Sequence, residues 1–130
     1  MLTKEQIQRY ARQLILPELG VRGQERLRRS RVLLVGAGGL GSPAALYLAA
    51  AGVGRLVILD QETVALSNLH RQILHTTDRV GCPKSESAAQ TLAALNPEVE
   101  VVARQVALQA DNALALVREV DLVLDGSDNV

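Results

Sequence analysis

Residues 32–60 carry one unbroken pattern: the apolar run VLLV, the glycine-rich turn GAGGLG, the small-residue segment SPAALYLAAA, two further glycines and the apolar run RLVILD. Strands covered on both faces read as continuous apolar runs, whereas half-solvated strands alternate. A buried strand, a tight turn, a helix and a second buried strand make a βαβ unit, with parallel strands and a right-handed crossover. Few folds remain open to a chain that contains this unit.

The remaining segments extend it. Pro83 opens a helix expected over 84–95 and closed by Asn96 and Pro97. VEVVARQV at 99–106 predicts a third strand, 111–120 a further helix and DLVLD at 121–125 a fourth strand. The alternation defines an α/β class: a Rossmann-like, doubly wound, mainly parallel sheet in the order 3-2-1-4. The helix over 42–51 is expected to take Ser42 as its N-cap and Pro43 as its first residue. Ahead of the sheet, Thr3 and Gln6 form a capping-box pattern, and Ile7, Tyr10, Ala11 and Leu14 recur at helical spacing. One helix is therefore predicted over 3–15, ended by Pro17 and Gly20, with a short second helix over 24–29. The segment 61–82 holds no sustained period and reads as a long connection with short turns, a kind of segment that tends to be functional. A sheet that stops at its fourth strand implies a truncated domain.

Composition narrows the partners. The chain has 130 residues, 48% of them hydrophobic, and neither Phe nor Trp, so its core is aliphatic. Basic and acidic residues balance at 14 each, and no overall field favours nucleic acid or an anionic membrane. The single cysteine, Cys82, forms neither an internal disulfide nor a thiolate zinc cage, which fits a reducing cytosol. Signal-peptide and membrane-span patterns are absent, so a cytoplasmic location is expected.

The glycine turn lies between a buried strand and a helix N-terminus, where the helix dipole and unpaired N–H groups favour a phosphate. Gly36 suits the tight turn, Gly38 the close approach of a ligand, and Gly41 the packing of helix on strand. Asp60 closes the second strand, near the position from which an acid accepts hydrogen bonds from ribose hydroxyls. The same loop serves nicotinamide dinucleotides, flavins and ATP. Two cations bear on the choice: Arg71 offers a fork for phosphate oxygens and Lys84 a point charge, and together they suit a triphosphate. Asp128, in DGSDN, is suited to a magnesium ion between phosphates, although Asp, Gly, Ser and Asn also make ordinary turns. His70 and His75 lack spaced partners for a metal and read as loop or packing residues.

The series RYARQLILPELG, GQERL, VLLVGAGGLGS, AAGVG, LVILD, SNLHRQILH, VGCPKSESA, LNP and DLVLDGSDN resembles, in order and spacing, the MoeB/ThiF/HesA family. Its members, related to the ubiquitin-activating enzymes, adenylate the C-terminus of a ubiquitin-like sulfur-carrier protein. The resemblance implies one ATP-binding adenylation domain over 1–130, with a helical arm at 1–30 and a nucleotide-binding core at 31–130. It also implies ATP over the glycine loop, with Gly39 near the phosphates and Asp60 on the ribose. Asn68, Arg71, Lys84 and Gln72 would contact the triphosphate, Asp128 would organise Mg2+, and Asn129 would adjoin the nucleotide. Arg12 matches an arginine that reaches into the partner subunit's ATP site, which implies a homodimer. A sulfur donor protein would receive the activated carrier for molybdopterin, thiamin or thiolation pathways. The family's zinc-binding CxxC pairs have no counterpart here and would belong to a C-terminal part. Two other readings of the same residues stand beside this one: an NAD- or FAD-binding oxidoreductase domain, and a non-catalytic dimerisation remnant of the adenylation fold.

Overall fold

The computed structural model describes residues 1–127. Four strands, β1 (Arg31–Val35), β2 (Arg55–Leu59), β3 (Glu100–Arg104) and β4 (Leu122–Asp125), form an all-parallel sheet in the order β3-β2-β1-β4. The predicted strand order is the observed one. Register follows the apolar runs: Leu33 pairs with Val57 and Val123, and Leu34 with Ile58 and Leu124.

Side chains alternate across the sheet, so two cores result. On one face Val32, Leu34, Leu56 and Ile58 meet Ala45 and Ala49 of α4 (Gly41–Ala51) and Ala88 and Leu92 of α5 (Lys84–Leu95). On the other, Leu33, Val57 and Leu59 meet Leu116 of α6 (Ala113–Arg118). The alanines are what let α4 lie close to the strands.

The N-terminal arm departs from prediction. Instead of one helix over 3–15 there are two, α1 (Lys4–Arg9) and α2 (Ala11–Leu14), broken at Tyr10 with φ −103° and ψ 16°. The capping box forms as expected, with Thr3 Oγ1 accepting from the Gln6 N–H and Gln6 Oε1 from the Thr3 N–H. The break drives Tyr10 inward, where tertiary burial outweighs a continued helical period. Gly20 does not end a helix; it opens α3 (Gly20–Arg29), four residues earlier than the pattern predicted.

Tyr10 belongs to a polar plug beneath the C-terminal end of α4. Asn96, the residue that caps α5, donates from Nδ2 to Tyr10 Oη at 2.9 Å and to the Ala49 carbonyl at 2.8 Å. Gln24 Nε2 and Gln13 Nε2 both donate to the Ala51 carbonyl, at 2.9 and 3.0 Å. The plug supplies partners for carbonyls that a helix end leaves open and ties the arm to the sheet domain. Asn96→Ala leaves Tyr10 Oη and the Ala49 carbonyl without this donor and is expected to cost about 2 kcal/mol. A lower urea midpoint at constant m value is the expected result; an unchanged midpoint would show that the plug contributes nothing.

Candidate functional site

The glycine loop leaves β1 at Gly36, whose φ of +95° lies in the left-handed region. A methyl group at Gly41 would sit 2.0 Å from the Gly36 carbonyl oxygen, so helix and turn touch backbone to backbone. The helix begins two residues earlier than predicted: Gly41, not Pro43, is its first residue, and Leu40, not Ser42, is its N-cap. Ser42 is fully buried, its Oγ finds no partner among the described residues, and its own N–H donates to the Gly38 carbonyl at 2.9 Å. Among the described residues no side chain caps α4, which leaves its N-terminal donors to the loop and to whatever lies above it.

A cavity of about 360 Å³ opens there, along the carboxyl ends of the strands. Open α/β sheets bind ligands at this edge. Gly36, Gly38, Asp60, Gln72 and Lys84 line it, and all five were expected at the site. Asp60 is engaged by backbone: Oδ2 accepts from the Ala37 N–H and Oδ1 from the Glu62 N–H, each at 2.8 Å. Each oxygen keeps a second lone pair. Gln72 is buried, and its Oε1 has no partner among the described residues.

Lys84 has the most unusual surroundings. It is the first residue of α5, where the helix dipole disfavours a cation. Its side chain is only 6% exposed, and its Nζ pairs at 3.2 Å with Glu62, which is 67% exposed. A solvated carboxylate compensates a buried ammonium poorly. An anion in the cavity would satisfy both the ammonium and the helix end.

Other expected residues stand outside the cavity wall. Arg71 lies over the loop: a methyl at Gly39 would be 3.7 Å from its Cδ and Nε, and Arg71 Nη1 donates to the Ser67 carbonyl at 3.3 Å. Being exposed, it is held by little else. Asn68 turns away into its own 3₁₀ turn, with Oδ1 accepting from the Ala65 N–H at 2.8 Å. Arg12 is exposed on α2 and borders no part of the cavity. Asp128 and Asn129 lie outside the described residues.

The structure adds residues that the sequence did not single out. Val106, Ala107 and Leu108 form one wall, because β3 ends at Arg104 rather than running to 106. The last bond on that side is the Asp60 N–H to the Arg104 carbonyl at 3.2 Å, after which β2 turns away and leaves β3 nothing to pair with. Asp125 and Gly126 form the opposite wall. The Ser127 hydroxyl and N–H both bond Asp125 Oδ1 and hold its carboxyl below the usual carboxylate range. DGSDN, which follows a strand, pointed to this edge of the sheet, whereas no sequence signal separates Val106–Leu108 from ordinary strand-end residues.

His75 is buried behind the loop, Nε2 at 2.9 Å from the Ala37 carbonyl and Nδ1 at 2.8 Å from Ser87 Oγ. Burial pushes its pKa down, with the Ala37 carbonyl opposing and Lys84 adding to the shift. The native state thus holds fewer protons on His75 than the unfolded chain. Its contribution to stability is complete above pH ~6.5, the unfolded value, and is lost as the pH falls below it. The unfolding free energy from urea titration is expected to fall between about pH 7.5 and 5.5, by at most about 1.4 kcal/mol per pH unit from this group. His75→Gln should flatten that slope; an equal slope in the variant would contradict it.

Among the described residues no group of three or more His, Cys, Asp or Glu comes together, and no helix is long and apolar enough to cross a membrane. The fold and site define the class: a Rossmann-like α/β domain whose glycine loop opens on a cavity lined by Lys84 and by the carboxylates Asp60, Glu62 and Asp125. A model described as "ThiF family" matches residues 10–130, and the chain belongs to that family. It is 55% identical over 127 residues to a sulfur carrier protein adenylyltransferase of Thermus thermophilus, covering 98% of this chain and 47% of that protein. It is 54% identical over 129 residues to the adenylyltransferase and sulfurtransferase MOCS3 of Aedes aegypti, covering 99% of this chain and 30% of the relative. Among solved structures, the E. coli tRNA N6-threonylcarbamoyladenosine dehydratase TcdA in complex with ATP superposes with a TM-score of 0.91 at 30% identity, covering 100% of this chain and 53% of that one. The chain thus spans about half, or less, of the length of each of these relatives.

Proposed function

We propose that this protein adenylates the C-terminal glycine carboxylate of a ubiquitin-like sulfur-carrier protein, with ATP as the second substrate and pyrophosphate as the product released. The observation that carries the reading is the buried Lys84 ammonium at the start of α5, in a cavity shared with the glycine loop and Asp60. The names of the relatives, which are adenylyltransferases, and the ATP bound by the solved neighbour support it.

In this reading a carboxylate oxygen of the carrier forms a bond to the α-phosphorus as the bond from that phosphorus to the bridging oxygen of pyrophosphate breaks. No proton is gained or lost, so no strong general base is required. The protein's work is positioning and charge neutralisation. Loop N–H groups and α4 hold the phosphates, and Asp60 binds the ribose through its remaining lone pairs. Arg71 swings from its loose bond to Ser67 onto phosphate oxygens, joined by Lys84; the family resemblance adds Asn68, Gln72 and Asn129 to these contacts, Asn68 after leaving its bond to the Ala65 N–H. Arg12 completes the site from the partner subunit of a homodimer. A hard divalent cation fits the oxygen donors of the cavity, since Asp125 borders it and magnesium takes one or two carboxylates plus phosphate oxygens. Asp128 would hold that ion, which when bound neutralises phosphate charge. Sulfide-level sulfur delivered by a sulfur donor protein then attacks the acyl carbon; the carbon–sulfur bond forms as the bond from that carbon to the adenylate oxygen breaks, so AMP leaves and the carrier ends as a thiocarboxylate.

Carrier-dependent exchange of labelled pyrophosphate into ATP is the direct assay. Lys84→Ala is expected to lower kcat/KM for exchange by on the order of 100-fold. Mixing Lys84→Ala with Arg12→Ala chains should restore about one quarter of the wild-type rate, since a mixed dimer keeps one intact site. Absence of exchange with every carrier of this class would overturn the reading, and a mixture no more active than its components would overturn the role of Arg12 in trans.

A further inference from the structure

The backbone unit at Ala37 is held from both sides. Its N–H donates to Asp60 Oδ2 at 2.8 Å, and its carbonyl lies 2.9 Å from His75 Nε2. A carbonyl only accepts, so Nε2 carries the ring proton, and in the neutral imidazole Nδ1 accepts from the Ser87 hydroxyl at 2.8 Å. Ser87 is fully buried on α5. Its carbonyl accepts from Arg79 Nη1 at 2.9 Å, and that guanidinium also bonds Thr91 one turn further on. The imidazole is thus clamped between a fixed hydroxyl and the loop.

The Ala37 carbonyl shares a peptide plane with the Gly38 N–H, and in a trans peptide the two point in opposite directions. A ring that fixes the carbonyl therefore fixes the N–H. Gly38 borders the cavity and His75 does not. Among the described residues the Gly38 N–H has no acceptor. A buried imidazole on one side of the peptide thus holds an unsatisfied donor on the other.

We propose that His75 is a positioning residue of the nucleotide site: its Nε2–H locks the Ala37–Gly38 peptide so that the Gly38 N–H is presented to a phosphate oxygen. The role rests on the nucleotide reading above, and it deepens that reading by assigning a residue that touches neither substrate. Asp60 then acts twice, on the ribose and on the preceding N–H of the same loop. His75 completes the clamp.

Two variants separate this role from packing. Glutamine places an amide donor near the Nε2 position, whereas leucine fills the volume without one. In titrations of the protein with Mg-ATP, His75→Leu is expected to weaken binding by about ten-fold or more, and His75→Gln to stay within about three-fold of wild type. Adenosine, which lacks phosphate, should bind all three proteins alike. Equal Mg-ATP affinity in His75→Leu, equal losses in both variants, or a parallel loss for adenosine would overturn the proposal. Wild-type protein that fails to bind Mg-ATP would refute the nucleotide reading instead. The ring tautomer, read from nitrogen–proton correlation of the imidazole in the wild-type protein, tests the clamp without any variant: Nε2–H is expected, and Nδ1–H would overturn it.

Discussion

A methyl group at position 41 would lie 2.0 Å from the Gly36 carbonyl oxygen, and the site depends on that methyl being absent. Because the turn and the start of α4 touch backbone to backbone, the helix N-terminus sits directly beyond the end of β1. Everything else is arranged around that junction. β2 runs parallel beside β1 and delivers Asp60 to the loop, while α5 brings Lys84 to the same cavity. The all-parallel order leaves every strand's carboxyl end on one edge of the sheet, so one cavity gathers residues from four connections.

The cavity lining carries Asp60, Glu62 and Asp125 beside one ammonium, so an anion is favoured locally, at Lys84 and the loop N–H groups, and not by the net charge of the cavity. Folding buries Lys84 at a helix start whose dipole disfavours it, and its only ion-pair partner among the described residues is a solvated glutamate. Neither arrangement favours the ligand-free protein, and both favour a bound polyphosphate. Arg71 complements Lys84 in the opposite manner: it is exposed and weakly held over Gly39, so it is free to close on a ligand. Local structure and proposed function coincide at Asp60, whose bonds to backbone N–H groups shape the loop and which also lines the cavity.

Much of this was legible in the sequence because the informative signals were local. VLLV and RLVILD are continuous apolar runs, and α5 spans Lys84–Leu95 as its Pro83 and Asn96 boundaries predicted. Gly36, Gly38, Asp60 and Lys84 were each readable from position relative to those elements, whereas Gln72 came only from the family resemblance. What escaped depended on distant contacts. The break at Tyr10 answers to Asn96, 86 residues away. Ser42 lost its expected capping role because Gly41 already fits beneath the turn. Val106–Leu108 enter the cavity wall because β2 departs at Asp60 and leaves β3 without a neighbour. His75 has no motif of its own; only the fold puts its ring behind Ala37.

The central claim is that this cavity holds a magnesium-bound adenine nucleotide rather than a redox dinucleotide, a distinction the glycine loop alone does not make. Calorimetric titration of the protein with Mg-ATP and, separately, with NAD addresses it most directly. Saturable binding of Mg-ATP that is lost in Lys84→Ala, with no heat from NAD, is the predicted result. Binding of NAD without binding of Mg-ATP would contradict the account.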